Sequence, residues 1–551
     1  MIGMLGICIF SYALCPAGTR WQGSGCLAPE DSFSVASRAA ASFEHDHSIS
    51  PLVPAREICH ISGCRTTVLL SDRPREFMQV TAELQEKCIA EIALIVGAGG
   101  VLRGAEVGAR YGQDWSGDNI GTPLAVVRPR TTEQVSQVVA VCARLGLAVV
   151  PQGGHTGLVG GAVPSQAGTE IVLSLELMNQ IGELDERNFS MVVQAGCVLE
   201  TVREHAAQRG FVFPLALGSQ GSCQIGGAIA TNAGGLNVLR YGMMRELVLG
   251  VEAVLPDGRV WNGLKALRKD NTGYDLKQLI LGSEGTIGVV TAATLKLFPA
   301  PTQIETAFVA LSSVAAVIDL FGSARRELSD LLSAFELLTQ DGIEISGRAS
   351  PLATVSPVYV LIEVSASGLV DARALLQQFL ERALELGLIT DGALAASAAH
   401  ASSFWQIREE IIEAQLRRGR HLRTDVSMPI SAIEVFIGKA EVAIKALSAE
   451  AIVLAYGHIG DGNLHFNVVP PQHLDQAGKM DFLHRCEEVI FAIVDGLNGS
   501  ISAEHGVGRI KREAFLARIS PVHVDMLKAI KGAFDPKGIM NPGRMLEETV
   551  R

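Results

Sequence analysis

The chain has 551 residues, and its net charge of −12 arises from 58 acidic and 46 basic side chains. This length exceeds what one ordinary hydrophobic core supports, so we expect two or three domains. Hydrophobic residues make up 48% and charged residues 19%, which indicates a globular chain and excludes an intrinsically disordered one. The acidic balance argues against nucleic acid or an anionic membrane as the main partner, and no apolar run reaches the ~18 residues that span a bilayer.

The first 77 residues show neither the period of a helix nor that of a strand. They hold six arginines and seven acidic residues, and no basic residue precedes Arg20, so they fit neither a secretory signal peptide nor an acid-poor transit peptide. We expect a disordered extension, or a start site assigned too early with Met78 as the true start. Five of the ten cysteines lie in this stretch, and none of the ten forms a C-x-x-C pair, which suits a reducing compartment and structural thiols.

From about residue 79 onward, strand-like and helix-like segments alternate. The stretch AELQEKCIAEIALIV (82–96) predicts a helix, and residues 124–154 predict a strand, a threonine-capped helix and a second strand. Residues 247–263 predict a hairpin with an Asp-Gly turn, and residues 299–305 predict a linker. The second half combines strands such as VYVLIEVSA (358–366) with long helices. The chain as a whole is therefore predicted to be α+β.

Three glycine-rich stretches fall within about 140 residues: VVPQGGHTGLVGGAVPS (149–165), PLALGSQGSCQIGGAIATNAGG (214–235) and LILGSEGTIGVVT (279–291). Such loops expose consecutive backbone N–H groups and let the backbone approach a pyrophosphate closely. One such loop is compatible with an ordinary tight turn, but three, none with a Walker lysine, predict one extended ligand with phosphates, ribityl hydroxyls and a flat ring. IVGAGGVLRG (95–104) is not assigned as an NAD site, because Leu102 stands where G-x-G-x-x-G needs its third glycine.

The stretch YGHIGDGNLHFNV (456–468) predicts a hairpin that brings two histidines together. An Asp-Gly pair favours a two-residue type I′ turn, which would pair His458 with His465 and Tyr456 with Asn467 on one face. Opposed residues on one face have Cβ atoms roughly 4.5–5.5 Å apart, a distance at which two imidazoles can bind one ion. The alternative is a polar cross-strand pair that binds no metal.

These motifs together resemble a known superfamily. The three glycine-rich stretches resemble the flavin-binding domain of the vanillyl-alcohol oxidase/p-cresol methylhydroxylase superfamily, and FDPKGIMNPGRM (534–545) is similar to its C-terminal signature. GHIGDGNLH (457–465) and AEHGVG (503–508) resemble the C-terminal domain of its FAD-linked D-2-hydroxy-acid dehydrogenase branch. That branch includes D-2-hydroxyglutarate, D-lactate and glycolate dehydrogenases. The resemblance covers roughly residues 80–546.

The resemblance also implies a domain organisation. We expect an α+β chain in which a PCMH-type FAD-binding domain with two subdomains spans residues 78–301. An α+β FAD-linked oxidase C-terminal domain, which holds the substrate and a metal, is expected at residues 302–546. Residues 1–77 are left as the N-terminal extension.

FAD is the cofactor that the resemblance implies. Residues 152–157 are expected at its pyrophosphate, Asn541 near the isoalloxazine, and Glu284, Ile287 and Val289 near the adenine. The full set of expected FAD contacts is Gln152, Gly153, Gly154, His155, Thr156, Gly157, Leu217, Gly218, Ser219, Ser222, Gly226, Gly227, Thr231, Asn232, Gly235, Glu284, Ile287, Val289 and Asn541.

His155 leaves two modes of flavin attachment open. Relatives with noncovalent FAD often carry asparagine at this position, whereas a GGH histidine is the covalent attachment point in the berberine-bridge-enzyme branch. We favour a noncovalent loop histidine. Cys223 does not fall on that branch's second attachment position, which argues against a bicovalent flavin.

A divalent metal, with zinc as the first choice and manganese as the alternative, is implied in the second domain. Its protein ligands would be His458, His465 and Glu504, and the open positions would take the substrate hydroxyl and carboxylate and lower the hydroxyl pKa. His505 matches the family's general base, and Asn467 is expected to form a hydrogen bond to the substrate. Because adjacent residues of a strand point in opposite directions, Glu504 and His505 should lie in a loop that turns both inward.

Two arginines are candidates for binding a substrate carboxylate. Arg408 matches a family arginine, and a guanidinium binds a carboxylate through two hydrogen bonds. Arg423 stands where the D-2-hydroxyglutarate enzymes tend to have lysine, and Ile412 stands where they have a threonine for the distal carboxylate. Leu464 and the following HFNV resemble the hydroxyglutarate branch more than the D-lactate or glycolate branches. The alternative for both arginines is a solvated helix face.

The implied activity is oxidation of a D-2-hydroxy acid to the 2-oxo acid by hydride transfer from C2 to the flavin, with D-2-hydroxyglutarate first. A D-lactate or glycolate dehydrogenase is one alternative. Two others are a non-redox transferase like alkylglycerone-phosphate synthase and a flavin-carrying electron-transfer subunit. The complete set of metal ligands argues against both the transferase and the electron-transfer subunit. Implied partners are the 2-hydroxy acid and an electron acceptor of the electron-transfer flavoprotein, quinone or cytochrome type, and a homodimer is compatible. We expect a cytoplasmic location in a bacterium and a mitochondrial one in a eukaryote.

Overall fold

The computed structural model describes residues 81–117 and 119–547. The expectations for residues 1–77 and for a start at Met78 lie outside these residues. All described residues belong to one compact unit of the chain. Within the described ranges, no helix is long and apolar enough to cross a membrane.

The first half of the described chain contains short strands and helices that form two main sheets. Its strands are β1 (Val101–Leu102), β2 (Ala125–Val127), β3 (Val149–Gln152), β4 (Ile171–Ser174), β5 (Ile181–Asp185), β6 (Ser190–Gln194), β7 (Phe211–Val212), β8 (Val248–Val254), β9 (Val260–Gly263), β10 (Val289–Lys296) and β11 (Phe298–Pro299). Its helices are α1 (Ala82–Val96), α2 (Thr132–Leu145), α3 (Leu199–Ala207), α4 (Ile225–Ala230), α5 (Val238–Tyr241), α6 (Met244–Leu247) and α7 (Lys277–Ile280).

The first sheet has the order β1-β2-β4-β3, with β2, β4 and β3 parallel and β1 antiparallel to β2. The second is antiparallel with the order β5-β6-β10-β8-β9. One apolar core, which reaches from Cys88 to Leu297, connects the two sheets. The arrangement agrees with the expected two-subdomain FAD-binding fold.

The second half forms a seven-stranded antiparallel sheet of order β15-β12-β14-β13-β17-β18-β16. Its strands are β12 (Gln303–Leu311), β13 (Leu332–Thr339), β14 (Val358–Ala366), β15 (Asp391–Leu394), β16 (Val426–Ser427), β17 (Ile452–Gly457) and β18 (Asn463–Val469). The helices of this half are α8 (Val314–Glu327), α9 (Gln340–Ser346), α10 (Ala372–Glu385), α11 (Ala398–Arg417), α12 (Ile433–Leu447), α13 (Gln476–Gly496), α14 (Arg512–Leu516) and α15 (Pro521–Phe534).

Both faces of this sheet are buried, which explains why its central strands are almost continuously apolar. In β12, Val309 and Leu311 belong to a large core on one face, whereas Phe308 and Ala310 belong to a smaller core on the other. The alternation follows from the two-residue period of a strand. A charged residue inside such a strand, like Glu336 in β13, is therefore surrounded by protein.

Most of the predicted local elements are present. Helix α1 spans the predicted residues, and the Thr131 hydroxyl caps α2 by accepting a hydrogen bond from the Gln134 N–H at 3.3 Å. Strands β8 and β9 form the predicted hairpin. The linker predicted at 299–305 is wrong at both ends, because β11 includes Pro299 and β12 begins at Gln303, which leaves three connecting residues.

A late segment of the chain packs against the first half. The Val149 N–H donates to the Ile539 carbonyl at 2.8 Å, and the Asn541 N–H donates to the Val149 carbonyl at 2.8 Å. Met540, between them, is fully buried in the core of the first half. The domain boundary predicted at residue 301 stays a prediction. Residues 539–541, which were expected to belong to the domain at 302–546, extend the first sheet of the FAD-binding half.

Candidate active site

The connection between β17 and β18 brings two histidines together, although the predicted register is wrong. His465 lies opposite Tyr456, and Asn467 lies opposite Leu454. The connection has five residues, contains a 3-10 turn at Ile459–Asp461 and has one left-handed residue, Gly462 at φ +85°, so it is not the two-residue turn with two positive φ angles. The His458 and His465 ring centroids still lie 5.7 Å apart, although His458 lies just beyond the last residue of β17.

Glu504 joins these histidines in one cluster. One ligand atom from each of His458, His465 and Glu504 lies within 4.8 Å of the other two. Residues 500–508 form no helix or regular strand, as expected for a loop that turns both Glu504 and His505 inward. Burial raises the pKa of the Glu504 carboxyl, and the neighbouring His458 opposes that shift.

Glu336 fixes one of the histidines and was missed in the sequence. Its Oε1 lies 2.6 Å from His458 Nδ1, and its Oε2 accepts a hydrogen bond from Arg408 Nε at 3.2 Å. Burial alone would lower the pKa of His458, but the charge and hydrogen bond of Glu336 outweigh it and raise the pKa to about 9. Because an ionised carboxylate only accepts, Nδ1 keeps its proton, and Nε2 is the atom that can serve as a ligand once its own proton has left. A lone acidic residue within the apolar run 332–339 was the available signal.

His465 has the opposite electrostatic environment. Burial, together with the charges of Arg408 and His458, lowers its pKa to about 3. Its imidazole is therefore neutral at physiological pH. A neutral imidazole is the form that binds a metal.

Asp425 organises the loop that carries Glu504 and was also missed. Its Oδ2 accepts hydrogen bonds from the N–H groups of Ala503, Glu504 and His505 at 2.9–3.1 Å, and its Oδ1 accepts one from Asn463 Nδ2 at 2.9 Å. Burial opposes the ionised form, but the nearby His505 and other donors hold the pKa of Asp425 well below its usual range. The sequence carries no local pattern around Asp425, because its partners come from two distant loops.

His505 lies between the histidine pair and the FAD-binding half. Its ring stacks on that of His465 with centroids 6.3 Å apart, and its Nδ1 lies 3.6 Å from Asp425 Oδ2. Burial lowers the pKa of His505, and Asp425 opposes the shift. A neutral imidazole beside a carboxylate is suited to accept a proton.

Asn467 is bound to protein rather than presented as a free group. Its Nδ2 donates to Gln415 Oε1 at 2.7 Å and to the Tyr456 hydroxyl at 3.1 Å, and its Oδ1 accepts from the Thr424 N–H at 3.1 Å. These three bonds use both amide hydrogens and one carbonyl lone pair. The expected hydrogen bond from Asn467 to the substrate would therefore have to replace or share one of them.

The two predicted arginines lie in different environments. Arg408 is 6% exposed, and its guanidinium lies 5.2 Å from the centre of the Tyr456 ring. Arg423 is partly exposed and lies 5.9 Å from the centre of the Trp115 ring, which belongs to the FAD-binding half. Ile412, one turn after Arg408 on α11, is 37% exposed. The structure thus buries one arginine beside the histidines and places the other against the opposite half of the molecule.

The three glycine-rich stretches line one cavity of about 300 Å³, which Glu504 and His505 also reach. At Gly157, Gly218 and Gly227, all in its wall, an added Cβ would meet no protein atom within 4 Å. The space that side chains would take is thus left for an extended ligand, which fits FAD. The expected FAD residues that line the cavity are Gln152, Gly153, Gly154, His155, Thr156, Gly157, Leu217, Gly218, Ser219, Gly226, Gly227, Thr231, Glu284 and Val289.

Five expected FAD residues lie outside this lining and support the loops instead. Ile287 is buried in the apolar core, and Asn232 Oδ1 accepts a hydrogen bond from the Arg245 backbone N–H at 3.0 Å. Asn541 Nδ2 donates to the carbonyls of Gly161 and Glu284, which links two of the glycine-rich stretches. The remaining two are Ser222 and Gly235, whose backbones pack against neighbouring loops.

His155 has a strained backbone and an unpaired ring atom. Its φ is +61°, a conformation that residues other than glycine rarely adopt, and its ring packs edge-on against Tyr111 at 5.6 Å. Its buried Nδ1 has no hydrogen-bond partner among the described residues. Burial lowers the pKa of His155.

Comparisons with known proteins match both halves of the chain. Residues 123–263 match the family described as FAD binding domain, and residues 300–545 match the family described as FAD linked oxidases, C-terminal domain. The chain is 40% identical to mitochondrial D-2-hydroxyglutarate dehydrogenase of Bos taurus over 90% of each chain. It is 38% identical to a putative mitochondrial D-lactate dehydrogenase of Schizosaccharomyces pombe, over 78% of this chain and 83% of the relative.

A solved structure of p-cresol methylhydroxylase with substrate bound shares the fold, with a TM-score of 0.67 and 15% identity over 86% of this chain and 99% of that one. The fold and the pairing of an FAD-binding half with an FAD-linked oxidase half confirm the predicted architecture. Long matches at about 40% identity confirm the predicted relationship. The chain belongs to the D-2-hydroxyglutarate dehydrogenase family of FAD-dependent oxidoreductases.

Proposed function

We propose that the protein oxidises a D-2-hydroxy acid, with D-2-hydroxyglutarate first, to the corresponding 2-oxo acid. The observation that carries the proposal is that Glu504, a member of the histidine cluster, and His505, which stacks on His465, both line the flavin cavity. A substrate bound at the cluster would thus have its C2 facing the flavin site. The relatives named D-2-hydroxyglutarate dehydrogenase support this choice of substrate.

FAD, when bound in the glycine-rich cavity, supplies the hydride acceptor. The protein's part is to bind the cofactor, to hold the substrate at a fixed distance from it and to exclude water. Gly154 illustrates how closely the loops pack, because an added Cβ there would lie 1.9 Å from the Ser222 carbonyl oxygen. Noncovalent FAD is released by acid precipitation, whereas flavin retained on the protein would indicate attachment through His155.

His458, His465 and Glu504 are proposed as the ligands of one divalent cation, with zinc first and manganese second. When bound, such an ion supplies Lewis acidity that lowers the pKa of the substrate hydroxyl. Two imidazoles and a carboxylate suit zinc and leave positions open for substrate. Glu336 supports the proposal because it holds the Nδ1 side of His458, as carboxylates commonly do behind metal-binding histidines.

His505 is proposed as the base that removes the hydroxyl proton. Its ring stacks on that of His465, so the base would lie beside a ligand of the cluster. Asp425, 3.6 Å from Nδ1, would stabilise the imidazolium that forms. Asn467 is proposed to order the site through Tyr456 and Gln415 and to exchange one bond with the substrate.

Arg408 and Arg423 are proposed to bind the substrate carboxylates. Arg408 uses Nε for Glu336, and among the described residues its two terminal nitrogens have no hydrogen-bond partner, so both can bind a carboxylate. Arg423 would then hold the distal carboxylate of a dicarboxylate. Ile412, where relatives of the hydroxyglutarate type carry threonine, favours D-lactate as the second candidate, which the similarity to the putative D-lactate dehydrogenase also supports.

A panel of 2-hydroxy acids with an artificial dye acceptor tests the proposal. We expect turnover of D-2-hydroxyglutarate above D-lactate and glycolate, and none of the L-enantiomers, because the ion and an arginine fix one face of C2 toward the flavin. Replacing Arg423 with glutamine should raise KM for D-2-hydroxyglutarate far more than KM for D-lactate. Comparable turnover of both enantiomers would refute the assignment, and a preference for D-lactate would select the second candidate. In cells, we propose an electron-transfer flavoprotein, a quinone or a cytochrome as the acceptor.

A further inference from the structure

The loop that carries Glu504 and His505, here called the ligand loop (501–508), is held by buried charges. Asp425 accepts hydrogen bonds from its middle, as described above. Lys511 Nζ donates to the Ile501 carbonyl at 2.9 Å and to the Ser502 hydroxyl at 3.2 Å. Glu284 holds its last two residues. Of these three charged groups, only Glu284 comes from the FAD-binding half of the chain.

Glu284 contacts the ligand loop through both carboxylate oxygens. Oε1 accepts a hydrogen bond from the Val507 N–H at 2.7 Å, and Oε2 accepts one from the Gly508 N–H at 2.7 Å. The residue is 8% exposed and lines the flavin cavity. Its carboxylate is therefore already committed to the loop, and the FAD contact near the adenine expected from the sequence stays a prediction.

The backbone around this contact is built for close approach. Glu284 has φ +51°, a strained conformation for glutamate, and its own N–H donates to the Ala230 carbonyl at 2.8 Å. In the ligand loop, Gly506 has φ +80°, and a Cβ there would lie 2.8 Å from Glu284 Oε1. Strained residues persist where surrounding contacts determine them, and here they join the cavity wall to the ligand loop.

We propose that Glu284 is a positioning residue that couples the flavin cavity to the ligand loop, so that bound FAD and a bound divalent cation stabilise each other. A ligand that fixes the cavity wall also fixes Glu284, and through it the backbone two residues beyond His505. Whichever of the two, FAD or the cation, binds second then binds to a loop that is already ordered. By thermodynamic linkage, each increases the affinity for the other by the same factor. The inference rests on the proposed function, because it takes Glu504 as a metal ligand.

The first test measures cation affinity in FAD-loaded protein by competition with a chelating dye, using Zn²⁺ and Mn²⁺. Glu284→Gln keeps the size of the side chain but sets an amide N–H₂ against one loop N–H, and should weaken cation binding by about 10- to 100-fold. Glu252→Gln is the matched control, since that carboxylate accepts from Thr132 and Thr291 hydroxyls in the same half and does not touch the loop. Its cation affinity should equal that of the parent.

The second test measures the rate of FAD release after dilution, by flavin fluorescence, with the cation saturating or removed by chelator. The cation should slow release at least about fivefold in the parent and in Glu252→Gln, and should have no effect in Glu284→Gln. Gly506→Ala keeps the Glu284 charge but puts a Cβ 2.8 Å from Glu284 Oε1, so it perturbs the same contact from the loop side and should also remove the effect. Circular dichroism of each variant shows whether it is folded.

The outcomes separate the two proposals. If the parent binds no divalent cation, the proposed metal site is refuted and the coupling falls with it. If the parent binds a cation but FAD release ignores it, or Glu284→Gln binds the cation as tightly as the parent, the metal site stands and the coupling through Glu284 is refuted.

Discussion

Replacing Glu336 with glutamine is expected to lower the free energy of unfolding by about 3 kcal/mol. The residue is 1% exposed and lies between His458 and Arg408. Burial opposes ionisation, but the two cationic partners outweigh it and lower the pKa of Glu336 from 4.5 to about 2. At 1.36 kcal/mol per pH unit this corresponds to about 3 kcal/mol, at the lower end of the range typical for removing one partner of a buried ion pair.

The pH at which this difference appears follows from the two pKa values. The Glu336 contribution is complete above pH 4.5 and is lost as the pH falls toward about 2, because the folded-state pKa is lowered. The His458 contribution is complete below pH 6.5 and is lost as the pH rises through about 9, because the folded-state pKa is raised. The destabilisation should therefore be largest between pH 5 and 6.5, and a chelator should be present so that no metal competes for His458.

Urea unfolding followed by circular dichroism at pH 5.5 measures the effect. Glu363→Gln is the matched control, because Glu363 is half-buried on the neighbouring strand β14 and its loss of contact with water raises its pKa, so that neutralising it should leave stability unchanged or increase it. A glutamine can keep both contacts, because its carbonyl oxygen accepts from Trp405 Nε1 and its amide N–H donates to the Ser333 hydroxyl, which can donate in turn to the backbone carbonyl of residue 363. Equal unfolding midpoints for Glu336→Gln, Glu363→Gln and the parent would show that the buried ion pair does not stabilise the fold.

Three further outcomes are expected. His458→Ala or His465→Ala should reduce turnover more than about a thousandfold with an unchanged flavin spectrum. His473→Ala, at an exposed histidine, should retain activity and metal content. Treatment of the parent with a chelator should reproduce the loss, and a parent that is active without metal would contradict the prediction. Asp425→Asn should lower kcat about 10- to 100-fold, because three N–H groups lose their common acceptor, and steady-state kinetics with unchanged FAD content would check it. Burial raises the pKa of Cys197 to about 11, so this thiol should escape labelling at pH 8 in the native protein, and peptide mapping that finds it modified would refute its burial.

The flavin cavity could be predicted because its determinants are local. The composition of each glycine-rich stretch is sufficient to predict an open loop, and the three loops line one cavity. What could not be predicted is which residues face the ligand. Ser222, Asn232 and Asn541 lie in or beside the right loops, but each supports the loops from outside the cavity lining.

The histidine cluster shows a prediction that succeeds for a different reason. The sequence suggested that His458 and His465 meet as a directly opposed pair, whereas His458 lies in the five-residue connection beyond β17 and its ring still lies 5.7 Å from the His465 ring. Turn type depends on how many residues take positive φ, and here Gly462 alone does so. The prediction that the two histidines meet required only an approximate distance between the strands, so the error in register did not affect it.

Glu336 and Asp425 could not be found from spacing. Glu336 lies 122 residues from His458, and Asp425 lies 78 to 80 residues from the backbone groups that it holds. Contacts at such separations are set by packing of the whole sheet and not by local patterns. These two carboxylates determine the charge of one histidine and the shape of the ligand loop, so much of the electrostatics of the site was beyond the reach of the sequence.

The return of residues 539–541 to β3 has a consequence for synthesis of the protein. Asn541 Nδ2 binds the Gly161 carbonyl, 380 residues earlier in the chain. On the ribosome, the FAD-binding half therefore emerges long before the segment that completes its sheet, and the edge of β3 stays unpaired while the second half is made. Such an edge invites pairing with other nascent chains. Loading of the cofactor should accordingly follow translation, and expression at a lower rate of initiation should increase the fraction of chains that contain flavin.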